Sequence, residues 1–212
     1  EMEIRCNHIT KEIKGIKVLD KINLSFQGGK IYGLQGKNGC GKTMLMRAIC
    51  GLIKTTSGTI EIDGKILHKQ LQFPPKTGVL IENPAFLAGY TGRENLKMLC
   101  DLKGKSREEE IEEVLKEVGL NPQDRRTYKK YSLGMRQRLG IAFAAMESPK
   151  LMILDEPFNA LDDIGVEQVR HLILSRKEEG CLVIMACHDR TELENLADHI
   201  IKMENGRVVD EG

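Results

Sequence analysis

Two rhythms of apolar residues run along the chain. Near the start, "EIRCNHI", "KVLDKINLSF" and "TIEIDG" read as strands, some with apolar and polar positions alternating at a period of two. The turns around them, "FQGGK", "TTSGT" and "DGK", predict an antiparallel layer. Elsewhere the strands are short runs of branched or other large apolar residues, the pattern of parallel strands covered on both faces. These are "KIYGLQG" (30–36), "GVLI" (78–81), "LMIL" (151–154) and "CLVIMAC" (181–187).

Between the second and third of these runs, roughly residues 84–147, the period lengthens to that of a helix. Ile111, Val114, Leu115 and Val118 fall on one helical face. Ser106-Arg-Glu-Glu109 has the form of a capping box ahead of them, and Gly119 ends the helix. The acidic run "REEEIEE" reads as its solvated face. Met135, Leu139, Ala142, Phe143 and Met146 make a second apolar stripe, and "FPPKTG" marks a loop before the whole stretch. Strands alternating with helices predict an α/β fold. Its core is a parallel central sheet, with an N-terminal antiparallel β layer and an inserted α-helical lobe. The division expected is one domain over 1–212, with a core of 1–83 and 148–212 and a lobe of 84–147.

Composition narrows the choice of partners. Of the 212 residues, 32 are basic and 31 acidic, and a net charge of +1 gives no reason to expect nucleic acid. The longest apolar run, "LGIAFAAM" (139–146), is far short of a membrane span, so no direct membrane insertion is expected. The six cysteines show no metal spacing and read as reduced cytosolic thiols. No signal peptide is visible, and Glu1 ahead of Met2 reads as a leftover residue.

Two stretches carry chemistry. "GKNGCGKT" comprises Gly36, Lys37, Asn38, Gly39, Cys40, Gly41, Lys42 and Thr43, and fits G-x-x-x-x-G-K-[ST]. It lies between a predicted strand and a helical pattern, as a phosphate loop requires. Its glycines let backbone N–H groups turn inward to phosphate oxygens. Lys42 is placed to reach the β- and γ-phosphates of a nucleotide, and the Thr43 hydroxyl to ligate Mg²⁺. In "LMILDEP", Asp155 ends a buried strand at the edge where parallel sheets bind ligands. It is a candidate for the Mg²⁺ shell, and Glu156 for the general base that activates water. Taken alone, an Asp-Glu pair would merely end a strand; a P-loop in the same sheet favours the chemical reading.

The P-loop, "YSLGMRQR", "LMILDEP", "NALD" and "CHD" occur in that order. This series resembles the nucleotide-binding domain of ABC ATPases over nearly the whole chain. The resemblance implies ATP hydrolysis by two such domains clamped head to tail. It makes Gly36–Thr43 the Walker A loop, Asp155 and Glu156 the Walker B aspartate and catalytic glutamate, and His188 the switch histidine. Ser132 and Gly134 then belong to the signature motif and Asp162 to the D-loop. On this reading Ser132 and its helix N-terminus hold the γ-phosphate of ATP bound to the other subunit; without it, "YSLGM" is a simple helix cap.

Three positions depart from the family pattern. The signature LSGGQ is Tyr131-Ser-Leu-Gly-Met135, the Q-loop glutamine is Glu82, and the adenine-stacking aromatic is Ile13. Glu82 can still offer oxygens to Mg²⁺ or water. Ile13 replaces stacking with aliphatic contact to the base. "TGVLIENPAFLAGYTGRENLKML" together with "YSLGMRQRLGIA" is most similar to ATP-binding subunits of bacterial bacitracin- or lantibiotic-type exporters. That implies a separate membrane permease partner, a second nucleotide-binding domain, and a cytoplasmic, peripheral place at the inner face of the cell membrane. Such subunits usually run on, so "VVDEG" reads as a cut end. The alternative is a soluble non-transport ABC ATPase acting on a macromolecular partner. Its usual second ATPase domain or coiled-coil insertion is not seen. A P-loop kinase or GTPase would leave "YSLGMRQR" and His188 unexplained.

Overall fold

A computed structural model of the chain describes residues 1–82, 85–102, 108–188 and 190–211. The alternating segments form β1 (Glu3–Ile13), β2 (Ile16–Gln27), β4 (Ser57–Ile62) and the short β5 (Lys65–Ile66). They pair antiparallel in the order β2-β1-β4-β5. One face of this sheet is buried, as the period of two requires.

The unbroken apolar runs form β3 (Ile31–Gln35), β6 (Thr77–Leu80), β7 (Leu151–Asp155) and β8 (Leu182–Ala186). They lie in a second sheet of order β10-β9-β3-β8-β7-β6. Every pairing in it is parallel except that of β9 (His199–Glu204) with β10 (Arg207–Glu211). Burial on both faces explains the missing alternation. Met152 and Leu154 of β7 face one hydrophobic cluster, while Leu151 and Ile153 face the other.

The hairpin of β9 and β10 is a strand pair that the reading of the sequence missed. Asn205 and Gly206 form its two-residue turn, both with positive φ (48° and 77°), as tight hairpins need. Gly206 is also a strap: its N–H donates to the Cys40 carbonyl at 2.8 Å, and its carbonyl accepts from the Asp20 N–H at 2.8 Å.

Helix α1 (Lys42–Ile49) buries Leu45, Met46, Ala48 and Ile49 in the cluster that holds the two sheets together. Between β6 and β7 come α2 (Gly92–Leu102), α3 (Glu108–Glu117) and α4 (Leu133–Ala145). Helices α5 (Asp163–Glu178) and α6 (Arg190–Leu196) follow β7 and β8. Ser106 and Arg107, the start of the expected capping box, lie outside the described residues. Gly119, at φ +75°, turns the chain just past α3. On α4, Leu139 and Ala142 of the predicted stripe are buried, but so are Gly140, Ile141, Ala144 and Ala145, so this helix is covered on most sides. All six cysteines are buried, and burial pushes the thiols of Cys6 and Cys181 up to about 12.

Candidate functional site

Strands β3, β6, β7 and β8 run parallel, so their C-terminal ends deliver residues to one edge of the sheet. The loop after β3 curls into Gly36–Thr43 and enters α1. Gly41, at φ +112°, sits just ahead of the helix in a conformation open to glycine. Lys37, Asn38 and Gly39 form an exposed rim, while Cys40, Gly41 and Lys42 are buried. The Lys42 ammonium donates to the carbonyls of Gly36 (2.6 Å) and Lys37 (3.2 Å), so the loop is closed on its own lysine. Cys40 lies against it, with Sγ 3.9 Å from Lys42 Nζ.

At the end of β7, Asp155 Oδ2 accepts from the Thr43 hydroxyl at 2.7 Å. A hydroxyl and a carboxylate in contact beside a buried lysine are hard oxygen donors of the kind Mg²⁺ takes. Among the described residues no group of three or more His, Cys, Asp and Glu could hold a metal alone. A cation here would take its remaining ligands from water and phosphate oxygens, which is the habit of Mg²⁺.

Glu156 follows at φ +51°, a left-handed conformation uncommon for a residue with a side chain. Its N–H donates to the Ala186 carbonyl at 2.9 Å, tying it to the end of β8. Its carboxylate accepts from the His188 N–H (3.0 Å) and lies 3.3 Å from His188 Nε2. Burial pushes the Glu156 carboxyl above the ordinary carboxylate range, against the opposing pull of His188. A carboxylate so raised is a stronger proton acceptor.

Lys42, Thr43, Glu82, Asp155, Glu156 and His188 line one cavity of about 480 Å³. Val18, Gln137 and Asn159 share its wall; all three lie in stretches that the reading of the sequence quoted, and it gave none of them a role of its own. Gln137 reaches in from α4 to donate to the carbonyls of Glu156 (2.8 Å) and Pro157 (3.2 Å). Glu82 stands just past β6 with its carboxylate bonded to Arg47 of α1, another residue not anticipated. Arg47 lies four residues beyond Thr43 and so on the same helix face, a spacing that could have flagged it.

Other expected site residues lie off this cavity wall. Ile13 ends β1 at the hairpin, paired with Ile16 and 41% exposed; the residue this sheet gives to the wall is Val18. Ser132 is exposed and caps α4, its hydroxyl accepting from the Met135 N–H at 3.1 Å. Gly134 backs onto Ala160, whose carbonyl would lie 2.7 Å from an added Cβ. Asp162 caps α5, accepting from the Gly165 N–H (2.9 Å) and from Arg138 (2.7 Å). The Gly165 N–H first, and Arg138 with it, hold this carboxyl below the usual aspartate value. Ser132, Gly134 and Asp162 therefore each have a structural task within their own chain.

A model of the ABC transporter family matches residues 19–159. YybJ, an uncharacterized ABC transporter ATP-binding protein of Bacillus subtilis, is 42% identical over 205 residues, which make up 97% of this chain and 94% of YybJ. The bacitracin transport ATP-binding protein BcrA of Enterococcus faecalis is 40% identical over 213 residues, spanning 100% of this chain and 69% of BcrA. Among solved structures, the ATP-binding subunit of an ABC transporter superposes with a TM-score of 0.89 at 25% identity, over 99% of this chain and 89% of that one.

Proposed function

The chain belongs to the ABC transporter family as an ATP-binding, ATP-hydrolysing subunit, and we propose that it powers a separate membrane permease that exports peptide antibiotics. The observation that carries the site is the gathering of Lys42, Thr43, Asp155, Glu156 and His188 around one cavity. Lys42 binds the β- and γ-phosphates. Thr43 and Asp155 would hold Mg²⁺, which when bound neutralises charge across the phosphate oxygens. Glu156 takes a proton from the attacking water, and His188 keeps that carboxylate in place. The raised affinity of Glu156 for protons supports the assignment.

Ser132 and Gly134 complete the site of a second copy, head to tail. Neither lines the chain's own cavity, which supports this reading, as does the exposure of Ser132 at a helix N-terminus. The resemblance to a bacitracin transport protein supports the exporter class. Among the described residues no helix is long and apolar enough to cross a membrane. Leu87 and Tyr90, apolar and about half exposed just beyond Glu82, suit a permease contact at the inner membrane face.

The test is ATP-dependent dimerisation. Glu156→Gln should hold ATP unhydrolysed and elute as a dimer on size exclusion, and adding Ser132→Arg should return it to monomer. A Glu156→Gln chain that binds ATP and stays monomeric at high concentration overturns the composite site.

A further inference from the structure

Helix α1 holds two of the three carboxylates that line the cavity, and it holds them one helical turn apart. Thr43 bonds Asp155, and Arg47 bonds Glu82. Asp155 is expected to meet a cation. Glu82 brings an extra negative charge to a cavity that, on the reading above, admits a triphosphate. Three carboxylates and a polyanion do not share one cavity without compensation. The ammonium of Lys42, held by the loop carbonyls, offsets one of these charges and leaves the others. Among the described residues, Arg47 is the cation recorded in a salt bridge with Glu82.

The geometry of the pair is specific. Glu82 is the second residue after β6 and has φ +62°, so its side chain leaves the strand end in a direction that regular strand backbone would not give. Arg47 sits in the last turn of α1, whose apolar side is buried between the sheets, so the guanidinium is anchored at a fixed height beside the P-loop. Arg47 is 32% exposed and Glu82 64%, so the pair is partly solvated and of modest strength.

We propose that Arg47 is a positioning and charge-compensating residue that makes a glutamate workable at position 82. It cancels the Glu82 charge and parks the carboxylate against α1, so that nucleotide phosphates enter the P-loop without facing an open anion. This rests on the reading of the cavity as the ATP site. Arg47 acts on nucleotide only through Glu82, and that dependence separates it from a residue that grips phosphate directly.

The experiment is a double-mutant cycle on ATP affinity, read by calorimetry in EDTA, where the nucleotide carries its full negative charge, and again in Mg²⁺. Arg47→Met should weaken ATP in EDTA by about tenfold, an uncompensated charge acting across a partly solvated site. Glu82→Gln should bind at least as tightly as the wild type in EDTA. The double variant should match Glu82→Gln, which is the rescue. In Mg²⁺ the loss from Arg47→Met should shrink, because the cation does part of the same work. Arg47→Lys keeps the charge and should stay within about threefold, which serves if Arg47→Met does not fold. Equal weakening by Arg47→Met with and without Glu82→Gln overturns the proposal, as does unchanged affinity of Arg47→Met. A wild-type chain that fails to bind ATP at all overturns the site assignment instead, and this proposal falls with it.

Discussion

The P-loop and the segment Tyr131–Met135 are both glycine-bearing turns at a helix start, and on our reading both offer N–H groups to an anion. They differ in how much of a site each brings with it. The P-loop carries its own cation, lies beside the Thr43–Asp155 pair, and is buried from Cys40 to Lys42. The second turn has an exposed Ser132 already engaged as a cap and an exposed Leu133. A cradle that assembles from one stretch of chain and its strand neighbours is finished when the subunit folds. A cradle that is only a helix end needs another surface to make it specific. On our reading that surface is the P-loop of a second copy.

The largest expected effect probes the finished half. Glu156→Gln should lower ATP hydrolysis by about 10²–10⁴-fold while ATP binding persists, as phosphate release and calorimetry would record. Turnover near wild type would remove Glu156 from the chemistry. Next in size is a mixing test of the unfinished half. Ser132→Arg and Lys42→Ala chains should each be nearly inactive alone, and mixing them should restore up to about half of the wild-type rate per mixed dimer. The mixed dimer holds one whole site and one doubly damaged one. Demonstrated heterodimers without recovery mean that Ser132 serves its own chain or that both sites must fire together.

Two smaller effects separate capping from anion binding. Ser132→Ala should cost about 1 kcal/mol in urea unfolding, as for a lost N-cap. Ser132→Asp keeps the cap and should keep the stability, yet its charge should repel a γ-phosphate and abolish ATP-dependent dimerisation. If Ser132→Asp dimerises as the wild type does, the turn is a cap and nothing more. The smallest effect concerns Asp162. Its folded pKa is depressed, so its contribution to stability is present above the unfolded value of 3.8 and fades as pH falls through the folded one. Asp162→Ala should therefore lower the urea midpoint slightly at pH 7, and the gap from wild type should close under strongly acidic conditions.

What the sequence made legible was what the chain settles locally. The four core strands were visible because burial on two faces leaves continuous apolar runs, and the P-loop because its spacing is a property of one loop. β9 and β10 were missed although Asn205-Gly206 is a strong hairpin signal, since Lys202 and Glu204 on the exposed face make "IIKMENGRVV" look like a polar tail. The pattern did not name the partners in long-range pairings. Arg47 meets Glu82 across 35 positions, and Gln137 meets the Glu156 carbonyl across 19. Val18, rather than Ile13, faces the cavity because of where the β1–β2 hairpin ends relative to the P-loop, which pairing register decides and spacing alone does not.

The turn at Asn205-Gly206 ties the end of the fold to its beginning. The P-loop belongs to the first quarter of the chain, but one of its carbonyls, that of Cys40, is capped by an N–H that comes from Gly206. On a ribosome the loop emerges early and waits, without that strap, while the whole helical layer and three more parallel strands are made. The β9–β10 hairpin then closes over both the loop and Asp20 of β2. The order of synthesis thus delays the finished nucleotide loop until β6, β7, β8 and the helices between them exist, and a nascent fragment lacking the hairpin holds the motif without the complete cradle.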